Sequence, residues 1–197
     1  GRITPREVAQ LRRGLSQILP LKLELSKLPK GESIALRDSL EECNEILRTL
    51  NTKLAESPAG QIGKGEVIAR GVSEELDQLR DIAQNSKDIL AGIQEREQER
   101  TGISSLKISY NNVFGYYLEV RNTHKDKVPS DWIRKQTLVS AERYITPELK
   151  EYEEKILGAE ERIYLLESNL YSELVASIQH NIPLIQRDCA VVAKVDC

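Results

Sequence analysis

The sequence predicts a mainly α chain with a small antiparallel β insertion, arranged as a long antiparallel helical arm that carries a β-rich knob at its tip. Three observations predict it. Only 5% of the residues are aromatic while 30% are charged; Leu, Ile, Glu, Lys and Arg in such excess build long helices more readily than a β-sandwich. Two stretches, 73–101 and 146–179, repeat apolar residues at alternating spacings of three and four, the pattern of a paired-helix seam. Between them the period drops to two over several short runs, as in half-buried strands.

In chain order, Thr4-Pro5-Arg6-Glu7 opens the first helix. Thr4 caps it, Pro5 suits the first helical position, and Glu7 sits where the acid of a capping box belongs. The helix is expected to run to Leu19 and stop before Pro20. A second is expected over 32–55, with Ile34, Leu36, Leu40, Cys43, Ile46, Leu47, Leu50 and Leu54 on one broad face. Ser57 to Gly65 reads as a turn region, and Val67-Ile68-Ala69 as a short extended piece. Ser73 caps a long helix whose seam is Val72, Leu76, Leu79, Ala83, Ser86, Leu90 and Ile93. At ~1.5 Å per residue it is on the order of 40 Å long. Its last part, 87–101, is almost wholly charged and is expected to project into solvent.

Leu106 to Tyr110 and Tyr116 to Val120 alternate apolar and polar residues around the turn-forming Asn111-Asn112 and Gly115. Gln136 to Val139 and Tyr144-Ile145 are further strand candidates, giving a sheet of three or four strands with a loop from Arg121 to Pro129. Thr146-Pro147-Glu148 restarts a helix by the cap logic of Thr4. Its seam is Leu149, Tyr152, Ile156, Ala159, Ile163, Leu166 and Leu170, continued by Leu174 and Ile178. Asn181-Ile182-Pro183 breaks it and a last helix follows. The expected parts are 1–102, helices of the arm; 103–145, the β-rich knob; and 146–197, the returning helix and the start of the next.

Several function classes lose support here. No apolar run approaches the ~20 residues that cross a bilayer. Cys43, Cys189 and Cys197 are three in number, widely spaced and without a CxxC pair. They disfavour a disulfide framework or zinc site, suit a reducing cytosol, and read as small apolar side chains partly in the core. Gly60-Gln-Ile-Gly63-Lys64-Gly65 lacks the spacing of a phosphate loop and the hydroxyl after its lysine. His124 and His180 lie in different elements without metal-ligand spacing. No nucleophile–base arrangement can be assembled, so the expectation is no catalytic residue and no metal. The chain has no methionine, and it ends at Cys197 within an apolar pattern; both ends are expected to be cuts in a longer protein.

The charge is uneven. The net charge is -3, yet residues 106–145 hold seven Lys/Arg against four acids, while the rest hold 21 against 27. A basic segment set in an acidic chain bears on partners rather than on fold. Arg121, Asn122, Thr123, His124, Lys125 and Lys127 put cations and short polar donors on one loop. Arg134, Lys135, Thr137 and Ser140 form a second row. Cations with Ser, Thr and Asn donors suit phosphate oxygens, and nothing resembles a major-groove helix or a base-stacking platform. These residues leave two readings open, a non-sequence-specific hold on the duplex DNA backbone and a merely solvated loop. The alternative is a coiled-coil interaction module whose tip binds a protein partner.

Asn111 to Tyr117 (NNVFGYY), Arg134 to Leu138 (RKQTL) and Ala141 to Tyr152 (AERYITPELKEY) closely resemble the clamp region of MutS-family mismatch-repair proteins. Gly1-Arg2, Pro5-Arg6-Glu7 and Leu11-Arg12-Arg13 resemble the family's core and lever segment. The likeness spans the chain and is most specific over 106–152. One branch of the family lacks the clamp, so its presence points to the mismatch-repair branch. The resemblance implies an arm that is the family's lever and a knob that is its clamp, gripping phosphates without reading sequence. It implies a parent that encircles DNA as a homodimer, hydrolyses ATP with Mg, recruits downstream repair factors and works in the bacterial cytosol at the nucleoid. The mismatch-reading Phe-x-Glu and the ATPase motifs do not occur here, so no cofactor is expected in this chain. The positions that match the family's contact loops are Asn122 to Lys125 and Thr137 to Ser140. The pattern departs at Val139 and Ser140, where some relatives carry a basic and an amide residue; Lys125, Lys127 or Lys135 are the expected replacements.

Overall fold

The computed structural model describes residues 3–28, 31–41 and 43–195. Gly1, Arg2 and Cys197, named above, lie outside the described residues. The chain is mainly helical with one four-stranded antiparallel sheet, as the periodicities predict. It divides into two compact units, one of residues 1–74 with 164–197 and one of residues 75–163.

In the first unit α1 (Pro5–Ser16) starts on the expected capping box. Thr4 Oγ1 accepts from Glu7 N at 3.3 Å, and the Glu7 carboxylate accepts from Thr4 N at 2.7 Å. The expected stop before Pro20 is not where the helix ends. α1 closes at Ser16, and α2 (Ile18–Leu25) has Pro20 inside its first turn. A proline ring there would clash with the carbonyl four residues back, which ends α1 at Ser16. The amide it lacks is one that a first turn leaves unpaired anyway.

The helix expected over 32–55 is two helices, α3 (Glu32–Ser39) and α4 (Asn44–Lys53). At the break Cys43 takes φ +28°, and Asp188 accepts from Glu41 N at 2.8 Å and from Cys43 Sγ at 3.3 Å. Asp188 is 2% exposed and sits on α7 (Ile182–Val195). A buried carboxylate that satisfies the freed backbone stabilises the break, information no local pattern carries. Desolvation and Asp188 push the Cys43 thiol up to about 11. Cys189 is exposed rather than part of a core.

Arg12 closes the far end of α4, donating to the carbonyls of Leu54, Ala55 and Glu56 at 3.2, 3.1 and 2.6 Å. Beyond it, Val67-Ile68 is extended as expected and bridges Leu54 through Ile68. The 67–68 amides end on Glu167, a carboxylate 1% exposed, at 2.8 and 3.0 Å.

The second unit holds most of α5 (Glu74–Thr101), the first half of α6 (Pro147–His180), and the sheet between them. α5 begins directly after Ser73. Thr146 caps α6, accepting from Leu149 N at 3.1 Å. Within this unit the two helices run antiparallel, tied by Arg162–Glu75 at 2.8 Å, Lys87–Glu160 at 2.6 Å and Arg96–Glu148 at 2.5 Å. Of the expected seam, Leu76, Leu79, Ala83, Ser86, Leu90 and Ile93 are buried, and Val72 is half-buried.

Two expectations change here. The 87–101 stretch keeps one face inside: Leu90 and Ile93 join the core and Glu97 is 6% exposed, because the sheet covers that face. The α6 seam holds from Leu149 to Ala159, then shifts. Ile163, Leu166 and Leu170 are half-buried, Glu167 and Tyr171 are buried in their place, and Leu174 and Ile178 are buried as expected.

The strands are β1 (Lys107–Asn111), β2 (Gly115–Arg121), β3 (Ile133–Thr137) and β4 (Ala141–Ile145), in spatial order β1-β2-β4-β3. Leu118 faces Tyr144 and Ile108 faces Leu118, so the inner face packs these residues with Val120, Trp132, Leu149 and Ile156.

Candidate nucleic-acid interface

The antiparallel register sorts the polar residues. Lys107 pairs across from Glu119, Glu119 across from Arg143, and Gln136 across from Arg143, so all four share the outer face. Arg121 lies two residues beyond Glu119 on that face, opposite Ala141. Strand direction puts the start of β1, the end of β2, the start of β4 and the end of β3 at one end of the sheet.

That end carries the expected contact residues. Arg121 leads into a 3-10 helix, Asn122–Lys127, which holds Thr123, His124, Lys125 and Lys127. Asn122 N donates to Ser140 O at 3.0 Å, and Asn122 Nδ2 donates to Val139 O at 2.9 Å. Two stretches read from sequence as separate rows are thus one surface: the 3-10 helix is clasped to the 138–140 turn. The same bonds occupy the Asn122 amide nitrogen, so its part is to join the two loops. Val139, at the turn tip, is fully exposed, beside the exposed Thr137 and Ser140.

The cations divide into two sets. Arg143 donates to Glu119 at 3.0 Å and Gln136 at 2.9 Å, and lies 4.5 Å over the Tyr117 ring. Arg134 donates to the buried Glu142 at 3.3 Å. Asp131 is held by Arg100 at 3.2 Å. These partners absorb three of the segment's four acids. Lys107, Arg121, Lys125, Lys127 and Lys135 are exposed and have no ion-pair partner among the described residues; Asp126 is the one acid left unpaired beside them. The paired arginines belong to the body of the sheet. Four of the unpaired cations belong to its 3-10 end, and Lys135 sits at a bulge in β3.

Sequence reading missed Lys107. Its signal was there, since alternation through Leu106–Tyr110 puts Lys107 on the face opposite Leu106 and Ile108. Among the described residues no group of three or more His, Cys, Asp or Glu is placed to hold a metal ion. None of the described helices is long and apolar enough to cross a membrane.

Glu142 also accepts a hydrogen bond from the Tyr144 hydroxyl. Burial, then that bond, pushes the Tyr144 phenol up to about 12 from 10.0. A folded value above the unfolded one means stability that is complete below pH 10 and lost as pH rises toward 12. Tyr171 in the other unit is raised to about 12 by burial as well. Circular dichroism against pH is expected to show destabilisation beginning near pH 10, and Tyr144→Phe is expected to weaken that dependence. A stability flat through this range in the parent chain would contradict the assignment.

Residues 71–162, which hold this helix pair and its sheet, match the family model described as MutS family domain IV. The similarity is not confined to that segment. The whole chain is 55% identical to the DNA mismatch repair protein MutS of Phocaeicola vulgatus, 53% to that of Flavobacterium johnsoniae and 54% to that of Porphyromonas gingivalis. Each match covers all of this chain but only 22–23% of the relative's length. Over its whole length the chain is thus similar to one segment of MutS proteins, and residues 71–162 match domain IV of that family.

Proposed function

We propose that residues 103–145 grip duplex DNA by its phosphates, without reading sequence, as the clamp of a MutS-type mismatch-repair protein, with 1–102 and 146–197 as its helical support. One observation carries this reading. Arg134 and Arg143 are neutralised by acids, while four of the five cations left unpaired lie at the end of the sheet where two loops are clasped together. A structural charge network would pair them; a phosphate-binding surface leaves them available. Thr123, Thr137 and Ser140 supply uncharged donors beside them. In the same reading the whole protein recognises mismatched duplexes as a homodimer in the bacterial cytosol and signals to downstream repair factors. Its ATP- and Mg-dependent step uses residues other than these.

Charge reversal tests the reading. The chain is expected to bind a short perfect duplex weakly, with log affinity falling by about 0.9 per neutralised phosphate for each unit of log salt. Lys125→Glu with Lys127→Glu is expected to lower affinity at least ten-fold with no change in melting temperature. Unchanged affinity in that variant, or salt-insensitive binding, favours the protein-partner alternative.

A further inference from the structure

We propose that Lys107 and Arg121 form a second phosphate-binding pair on the outer face of the sheet, so that the DNA strand crosses the sheet itself and not only the loops. The proposal rests on the DNA reading above and extends its footprint to a residue outside both loops.

Lys107 and Arg121 are diagonal neighbours, because Lys107 stands opposite Glu119 and Arg121 is two residues further along β2. Diagonal positions of an antiparallel pair lie about 7 Å apart, within reach of one phosphate for two long side chains. Glu119, the acid nearest in register, is turned to Arg143 at 3.0 Å, and so does not neutralise Lys107. The pair is continuous with the 3-10 helix, which begins at the residue after Arg121.

A bland reading exists for a lysine on an edge strand: it keeps the edge from pairing with another chain. That reading explains Lys135, on the edge strand β3 at a bulge. It does not explain Lys107. The outer edge of β1 is already covered by α5, since Gln94 Oε1 accepts from Ile108 N at 2.7 Å and Gln98 Nε2 donates to Leu106 O at 2.8 Å. The C-terminal charge of α5 is met by Arg100 in its last turn. Lys107 therefore has neither of the two structural duties open to it, and an anionic ligand remains.

The test titrates a fluorescein-labelled duplex with the 197-residue chain across a salt series, comparing wild type, Lys107→Gln, Lys107→Arg and Lys125→Gln/Lys127→Gln. Lys107→Gln is expected to flatten the salt slope by about 0.9, so that wild type loses roughly three-fold more affinity than this variant between about 50 and 200 mM salt. Lys107→Arg is expected to retain the wild-type slope, and both to melt as wild type does. If Lys107→Gln keeps the wild-type slope while the double variant loses it, this inference is overturned and the DNA reading stands. If wild type shows no salt-dependent binding, both fall.

Discussion

Gly115→Ala is expected to destabilise the sheet-bearing unit by about 3 kcal/mol, the largest single-residue effect outside the hydrophobic core. Gly115 has φ +75°, a conformation that costs an alanine roughly 1–2 kcal/mol. More decisive is the space. A Cβ built there lies 1.8 Å from Glu153 Oε2 and 2.2 Å from its carboxyl carbon. Glu153 has no room to yield without losing its partners. It accepts from Tyr116 N at 2.5 Å and from Lys150 Nζ at 2.9 Å, and Lys150 in turn donates to Phe114 O at 2.5 Å. This latch holds the β1–β2 hairpin on α6, and charge-assisted bonds of this kind contribute roughly 1.5–3 kcal/mol each. Thermal melting is expected to show a fall of about 10 °C or more. Glu153→Ala removes the obstruction along with the latch, so the double variant should lose less than the sum of the two. A Gly115→Ala chain melting with wild type would refute the latch.

Glu167→Ala is expected to cost the other unit a similar amount by a different route. The carboxylate is 1% exposed and receives both Val67 N and Ile68 N. Those two residues belong to the extended piece held to the end of α4 by Ala55 N to Val67 O and Ala69 N to Lys53 O, each at 2.9 Å. Truncation strands two buried amides, at about 1–3 kcal/mol for each. Glu167→Gln keeps an acceptor oxygen in place and is expected to retain much more of the stability. Urea unfolding reads the difference as a lower midpoint at unchanged slope. Equal midpoints for Ala and wild type would show that water or a neighbour replaces the carboxylate.

Neither residue announced itself in the sequence. Gly115 was read as turn chemistry, which is correct, but the Glu153 carboxylate that a Cβ there would meet at 1.8 Å comes from a helix 38 residues on. Glu167 sits one place after Leu166 in a stripe of acids and leucines, where an exposed charge is the ordinary expectation. The caps at Thr4 and Thr146, the α5 seam and the strand alternation were legible because each is a local pattern with a local cause. The α3–α4 break was not, because Asp188 imposes it from 145 residues away in sequence. The interface was legible by composition only. The basic segment stood out, yet which cations were free depended on cross-strand pairing: Arg134 and Arg143 look no different from Arg121 until Glu142 and Glu119 are placed beside them.

Lysine footprinting tests the central claim most directly. The chain is acetylated with and without a short duplex, and the protection of each lysine is read by mass spectrometry. Lys107, Lys125 and Lys127 are expected to be shielded by DNA, while the exposed Lys53 and Lys155 react as before. Protection spread evenly over the chain, or confined to lysines outside 103–145, would contradict a phosphate grip at the 3-10 end of the sheet.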